Sequence, residues 1–229
     1  MKVVVTGANR GIGLEFVKQL LARGDTVVAG ARAPGEAREL QRLAGSPASR
    51  LTVGPLDIGD AASVRRFSAS LGDRPVDVLI NNAGVLGKMQ SLEELDLDDV
   101  MATYRINAVG AVDVTRALLP LLRKSDVRKV LHVSTGMASI SDNTSGGAFA
   151  YRMSKAALNI ASKSISVNLR GERIISVVCN PGWVQTDMGG AGAKTPVSES
   201  VSGMLKVLDG LTLDQSGSFL DFRGGTLGW

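Results

Sequence analysis

In the stretch Y-R-M-S-K, Tyr151 and Lys155 stand four residues apart. At that spacing two side chains leave the same face of a helix, one turn from each other. Such a pair either dresses a solvated face or shares a proton. A tyrosine hydroxyl, with a pKa near ~10, exchanges protons poorly at neutral pH. A nearby ammonium group favours the phenolate and lowers that value. About three units of lowering takes roughly 4 kcal/mol of differential stabilisation, within reach of close charges in a dry pocket. The rest of the chain has to build that pocket.

A second constellation lies at the other end of the sequence. The run V-V-V-T-G-A-N-R-G-I-G puts Gly7, Gly11 and Gly13 between an apolar strand-like run and an amphipathic one. Glycine there lets the chain turn tightly and lets phosphate oxygens approach backbone amides. The helix N-terminus that follows carries partial positive charge, which suits a pyrophosphate. Asn9, Arg10 and Ile12 belong to the same loop and are candidate dinucleotide contacts with the glycines. Past the next strand-like run the sequence reads G-A-R-A-P, with Ala31 where an acid would hold ribose hydroxyls, then Arg32. A guanidinium at that place matches a 2′-phosphate, with Arg10 as a second partner. The reading is NADP(H) in preference to NAD(H); a plain surface charge is the bland alternative for Arg32.

These groups need elements to carry them. Short β-branched runs at 2–6, 26–31, 50–56, 76–81, 128–134 and 173–179, with a weaker one at 217–222, lack strict polar alternation. That is the pattern of strands buried on both faces. Between them lie amphipathic stretches. One ends at Gly24, and one opens at Asp60 as N-cap. A span from Leu92 to Lys124 is read as two helices, a long helix carries Tyr151 and Lys155 and ends at Gly171, and a last one covers 198–210. Strand–helix alternation of this kind predicts a single α/β domain over 1–229, a doubly wound parallel sheet with helices on both faces. The small, polar stretch 189–200 reads as a mobile surface loop.

Totals exclude several classes. The chain has 229 residues, 44% of them apolar and 4% aromatic, so one large aliphatic core is available. Net charge is +4 with the basic residues dispersed, which argues for an anion pocket and against nucleic acid. One cysteine, Cys179, excludes an internal disulfide and fits a reducing compartment. It lies in an apolar run and reads as a buried strand residue. One histidine, His132, excludes histidine metal clusters and reads as structural. No metal site is expected. No secretory leader and no run of ~18–20 apolar residues is visible, so a cytoplasmic protein that does not enter membranes is expected.

The motifs taken together resemble the short-chain dehydrogenase/reductase family over nearly the whole chain. They are T-G-A-N-R-G-I-G (6–13), L-D-I (56–58), N-N-A-G (81–84), R-I-N-A-V-G (105–110), V-S-T (133–135), Y-R-M-S-K (151–155) and N-P-G-W-V-Q-T-D-M (180–188). The stretches S-I-S-D-N-T-S-G-G and P-G-W-V-Q-T-D-M-G-G are similar to those of small single-domain carbonyl reductases, including relatives of bacterial C-factor signalling proteins.

The resemblance implies a Rossmann-type sheet of about seven strands. It implies Asp57 and Ile58 near the adenine, and Asn81, Asn82, Ala83 and Gly84 supporting the coenzyme. Pro181, Gly182, Val184 and Thr186 follow, with Thr186 on the nicotinamide carboxamide. Tyr151 protonates the developing alkoxide and Lys155 binds the ribose. Asn107 holds a water near Lys155, or serves only as a helix-kink residue satisfying backbone groups. A substrate-orienting hydroxyl falls on Thr135, where the family has serine, with Ser134 and Ser139 as alternatives. Threonine keeps the hydroxyl and adds a stiff, branched methyl.

Trp183, Met137 and Met188 are candidate pocket residues, and the short C-terminal remainder implies an open site with broad carbonyl tolerance. The implied assembly is a homodimer or homotetramer, with a monomer left open. The reading is therefore an NADPH-dependent reductase of a small ketone or aldehyde. Its rival is a dinucleotide-binding signalling or scaffold protein whose fold outlasted its chemistry.

Overall fold

The computed structural model describes residues 1–46 and 48–229. Its strands are β1 (Lys2–Thr6), β2 (Thr26–Ala31), β3 (Leu51–Pro55), β4 (Val78–Asn81), β5 (Lys129–Val133), β6 (Ile175–Asn180) and β7 (Phe219–Asp221). The helices are α1 (Gly11–Ala22), α2 (Arg38–Ala44), α3 (Ala61–Ser70), α4 (Leu97–Tyr104), α5 (Ala111–Leu122), α6 (Phe149–Asn168) and α7 (Val197–Gly210). The strands form one parallel sheet in the order β3-β2-β1-β4-β5-β6-β7. After β3 the chain crosses back past β1 to lay down β4 on its other side. The loops leaving β1 and β4 therefore diverge and leave a crevice at the strands' C-terminal ends.

Pleating explains the uninterrupted apolar runs. Val3, Val5, Val27, Ala29, Ile80, Leu131 and Val177 face one layer, where Phe16, Val17 and Leu20 of α1, Leu40 of α2 and Met204 and Leu208 of α7 cover them. Val4, Val28, Leu79 and Val130 face the other, under Val64 and Phe67 of α3 and Val114, Leu118 and Leu122 of α5. Both sets are almost fully buried, so neither parity of the strands carries a polar face. Helix α6 joins the second side through polar contacts: Ser162 Oγ and Ser176 Oγ lie 2.9 Å apart, and Ser134 Oγ donates to Asn159 Oδ1 at 2.6 Å.

The span 92–124 holds the two helices expected, α4 and α5, in one unbroken helical run. That run starts at Leu97, where the Asp96 carboxylate accepts from the amides of Asp98 and Asp99, and widens into a π-turn over Arg105–Gly110 before α5. Gly110 sits inside that run because a Cβ there would lie 2.5 Å from the Ile58 carbonyl oxygen. Helix α2 went unread because it is seven residues long and buries only Leu40.

The stretch 189–200 is not a free loop. Residues 197–200 form the first turn of α7. The remainder is tied back by Trp183 Nε1 donating to the Gly189 carbonyl at 2.8 Å and by the amides of Lys194 and Thr195 donating to the Trp183 carbonyl. Asp60 does cap α3, accepting from the Ala62 amide at 2.8 Å.

Candidate active site

The crevice is a cleft of about 730 Å³, within the usual range for a small-molecule site. Arg32 and Asp57 line it, as do the glycine loop, Asn82 to Leu86, Thr135, Tyr151, Lys155 and the segment Pro181–Gly189. The glycine loop is tightly packed. Gly7 has φ +62, and a Cβ on it would lie 2.7 Å from Ala83 Cα. A Cβ on Gly13 would lie 2.2 Å from the Gly7 carbonyl oxygen. Thr6 Oγ1 accepts from the amides of Asn82 and Ala83 at 3.0 Å, and Asn82 Nδ2 donates to the carbonyls of Thr6 and Gly7 at 2.9 and 3.1 Å. The loops after β1 and β4 are thereby fixed to each other. The first turn of α1 carries no acidic side chain, so its partial positive charge is not countered locally.

At the other end Lys155 is 4% exposed, and its Nζ donates to the Val133 carbonyl at 2.8 Å. Burial lowers its pKa to about 8. Burial raises the pKa of Tyr151, opposed by a hydrogen bond with the Thr135 side chain. The expected lowering of the phenol by Lys155 is therefore not found in this cleft: desolvation of the phenolate dominates, and the ammonium is turned to a backbone carbonyl. Thr135 Oγ1 also accepts from the Met137 amide at 3.2 Å and so caps a short 3-10 turn, Gly136–Ala138.

The alternatives to Thr135 are engaged elsewhere. The Ser134 hydroxyl is committed to Asn159. Ser139 is buried, with Oγ 3.1 Å from Ser141 Oγ and accepting from the Asp142 amide.

Asn81, expected among coenzyme contacts, is not part of the cleft wall. It is buried in the sheet, donating Nδ2 to Thr115 Oγ1 at 2.9 Å and lying 3.2 Å from His132 Nδ1. Asn82, the first residue after β4, is the one whose side chain bonds the Thr6 and Gly7 carbonyls.

Asn107 is fully buried in the π-turn. Its Oδ1 accepts from the Val85 amide at 2.8 Å, and its Nδ2 donates to the Val85 carbonyl at 2.8 Å and to Ser154 Oγ at 2.9 Å. It fixes the loop after β4 against α6. A Cβ on Gly84 would stand 3.0 Å from Asn107 Oδ1 and 3.4 Å from Lys155 Nζ, so both flank the same glycine.

Asn9, Arg10, Gly11, Ile12, Ile58, Ala83, Pro181, Gly182, Val184 and Thr186 line the cleft, as do the candidate substrate residues Met137, Trp183 and Met188. Arg10 Nη1 donates to Asp187 Oδ2 at 3.0 Å, an exposed bridge between the glycine loop and the segment after β6. Sequence reasoning missed Glu36, Val85, Leu86, Gln185 and Asp187, all of which line the cleft. Glu36 lies in a short 3-10 turn after β2 that only Pro34 foreshadows. Cys179 and His132 are buried strand residues, as read; burial holds the imidazole down to about 3 and pushes the thiol up to about 12. Among the described residues no cluster of metal ligands occurs, and no helix is long and apolar enough to cross a membrane.

A doubly wound parallel sheet with a glycine-loop cleft at its switch point is a Rossmann-type architecture. The match is also specific: residues 1–196 fit the family model for short chain dehydrogenases, and the chain belongs to that family. C-signal of Myxococcus xanthus is 51% identical over 166 residues, 72% of this chain and 100% of that protein. The NADPH-bound carbonyl reductase from chicken fatty liver superposes with a TM-score of 0.94 at 38% identity, covering 100% of this chain and 98% of the other. Carbonyl reductase Sniffer of D. melanogaster superposes at 0.95 with 33% identity, covering 100% and 99%.

Proposed function

We propose that this protein reduces aldehydes or ketones to alcohols with NADPH. The observation that carries the reading is that Tyr151, Thr135 and a buried ammonium line one cleft whose opposite part is a glycine loop. The donor set fits the coenzyme. Free amides at the start of α1 suit a pyrophosphate, the close-packed Gly7 and Gly13 leave the backbone accessible, and Arg32 suits a 2′-phosphate. When bound, the nicotinamide supplies the hydride.

The chain's own residues do the rest. Thr135 Oγ1 accepts from the Met137 amide, which leaves its own hydrogen for a carbonyl oxygen. Tyr151 gives its proton to that oxygen as the alcohol forms. A phenol whose pKa burial has raised is protonated at neutral pH, the form a reduction requires. Lys155, a buried ammonium in the same cleft, is placed to hold ribose hydroxyls. Val85, Leu86, Met137, Trp183 and Met188 supply apolar lining, and Trp183 is 56% exposed. An open, apolar mouth supports uncharged substrates and broad tolerance; a panel in which one compound exceeds the rest by several hundredfold contradicts it.

The likeness to C-signal favours a second reading, a non-catalytic signalling protein. The test is NADPH oxidation against a diverse carbonyl panel, with NADH in parallel, for the parent and Tyr151→Phe. The reductase reading expects turnover in the parent and loss of at least about a hundredfold in the variant with NADPH binding retained. Equal rates in the two proteins, or no turnover of any carbonyl, overturn it.

A further inference from the structure

The residue between the two chemical partners of Y-R-M-S-K has its own set of contacts. Arg152 turns its guanidinium onto the segment that follows Thr135. Nη1 donates to the Met137 carbonyl at 2.9 Å, Nε to the Gly146 carbonyl at 3.1 Å and Nη2 to Ser145 Oγ at 2.8 Å. One planar fork thus ties together both limbs of the loop between β5 and α6. That loop needs tying. Gly146, Gly147 and Ala148 are all left-handed, at φ 61, 63 and 47, and Ala148 has no glycine freedom.

The contacts also form a chain. Tyr151 and Thr135 line the same cleft, Thr135 Oγ1 accepts from the Met137 amide, the Met137 carbonyl accepts from Arg152, and Arg152 is covalently next to Tyr151. We propose that Arg152 is a positioning residue: by anchoring the Met137 turn and the Ser145–Gly146 limb, it holds the Thr135 hydroxyl in register with Tyr151 and fixes the Met137 wall of the cleft. This rests on the reductase reading for its kinetic consequence, though not for the clamp itself.

The test is a double-mutant cycle of Arg152→Met with Thr135→Ala, with Arg152→Lys as a second, milder variant, and amide hydrogen exchange on each protein. Arg152→Met is expected to lower kcat/KM by at least about tenfold while the NADPH Kd stays within about twofold. In the Thr135→Ala background the same substitution is expected to cost less than about twofold, because the group it positions is gone. Exchange at Met137, Ala138, Ser139 and Gly146 is expected to speed up. Arg152→Lys, which reaches only one acceptor at a time, falls between, and it decides the question if Arg152→Met does not fold.

Losses that multiply in the double variant, or unchanged exchange in the loop, overturn the proposal. Should the parent reduce no carbonyl, the reductase reading falls while the exchange comparison still decides the clamp.

Discussion

Burial acts in opposite directions on the two groups of the tyrosine–lysine pair. It raises the phenol and lowers the ammonium to about 8, since in each case the charged form loses water. For reduction this division is useful: the donor stays protonated, and the tuner stays charged until slightly alkaline pH. The rate of reduction is therefore expected to be flat near neutrality and to fall above about 8, as Lys155 loses its proton. Lys155→Met should lower kcat at pH 7 by at least about tenfold and remove that alkaline limb. A kcat profile against pH for both proteins checks this, and a limb that persists in the variant assigns it to another group.

The spacing of Tyr151 and Lys155 was plain in the sequence, because one helical turn is a local relation. The choice between Thr135 and Ser134 was not. It turns on Asn159, 25 positions away, which accepts from the Ser134 hydroxyl although Ser134 and Thr135 both line the cleft. The direction of the phenol's shift was equally illegible, because it is set by burial, which depends on the whole cleft and not on the helix.

The inner strands were legible because both their faces are buried, so they read as apolar runs; the edge strand β3, with Thr52 and Pro55 exposed, has a weaker pattern. What that pattern hid is polar. His132, opposite Asn81 in the β4–β5 register, is fully buried, and its Nε2, with Asn81 Oδ1 and Asn159 Nδ2, lacks a hydrogen-bond partner among the described residues. A neutral imidazole is tolerated there; a charged one is opposed by burial and by Lys155, which hold its pKa at about 3 against 6.5 when unfolded. The sign follows from linkage. The unfolded chain takes up a proton below 6.5 that the folded chain refuses, so this site's share of stability is intact above 6.5 and is lost as pH falls toward 3. By pH 3 the loss is on the order of a few kcal/mol. Urea midpoints measured from pH 7 to 3 should fall less steeply in His132→Gln than in the parent; parallel slopes would show that other groups drive acid unfolding.

Helical elements were legible in proportion to length. The π-turn had one hint in the sequence, the reading of Asn107 as a helix-kink residue, while the Ile58 carbonyl that demands Gly110 lies in the remote loop after β3.

At the scale of the whole molecule, the cleft is lined by loops from both the β3-β2-β1 half of the sheet and the β4–β7 half. The two halves are already joined there by Thr6 and Asn82, and more loosely by the Arg10–Asp187 bridge, which is exposed and contributes at most about 1 kcal/mol. A dinucleotide lying across them binds only the folded chain. At a hundredfold excess over its Kd it adds about 2.7 kcal/mol of stability.

This makes coenzyme choice readable as a melting temperature, independent of any substrate. Arg32 and Glu36 lie on opposite sides of that choice: a guanidinium favours a 2′-phosphate, and a carboxylate favours free ribose hydroxyls. If Arg32 decides, NADPH raises Tm more than NADH does in the parent. Arg32→Ala should then weaken NADPH by about 1.5–3 kcal/mol, the range for a charge-assisted hydrogen bond, while leaving NADH unchanged. Tm shifts across a coenzyme titration distinguish the cases, because a larger shift with NADH in the parent, abolished by Glu36→Gln, would move the preference to the carboxylate.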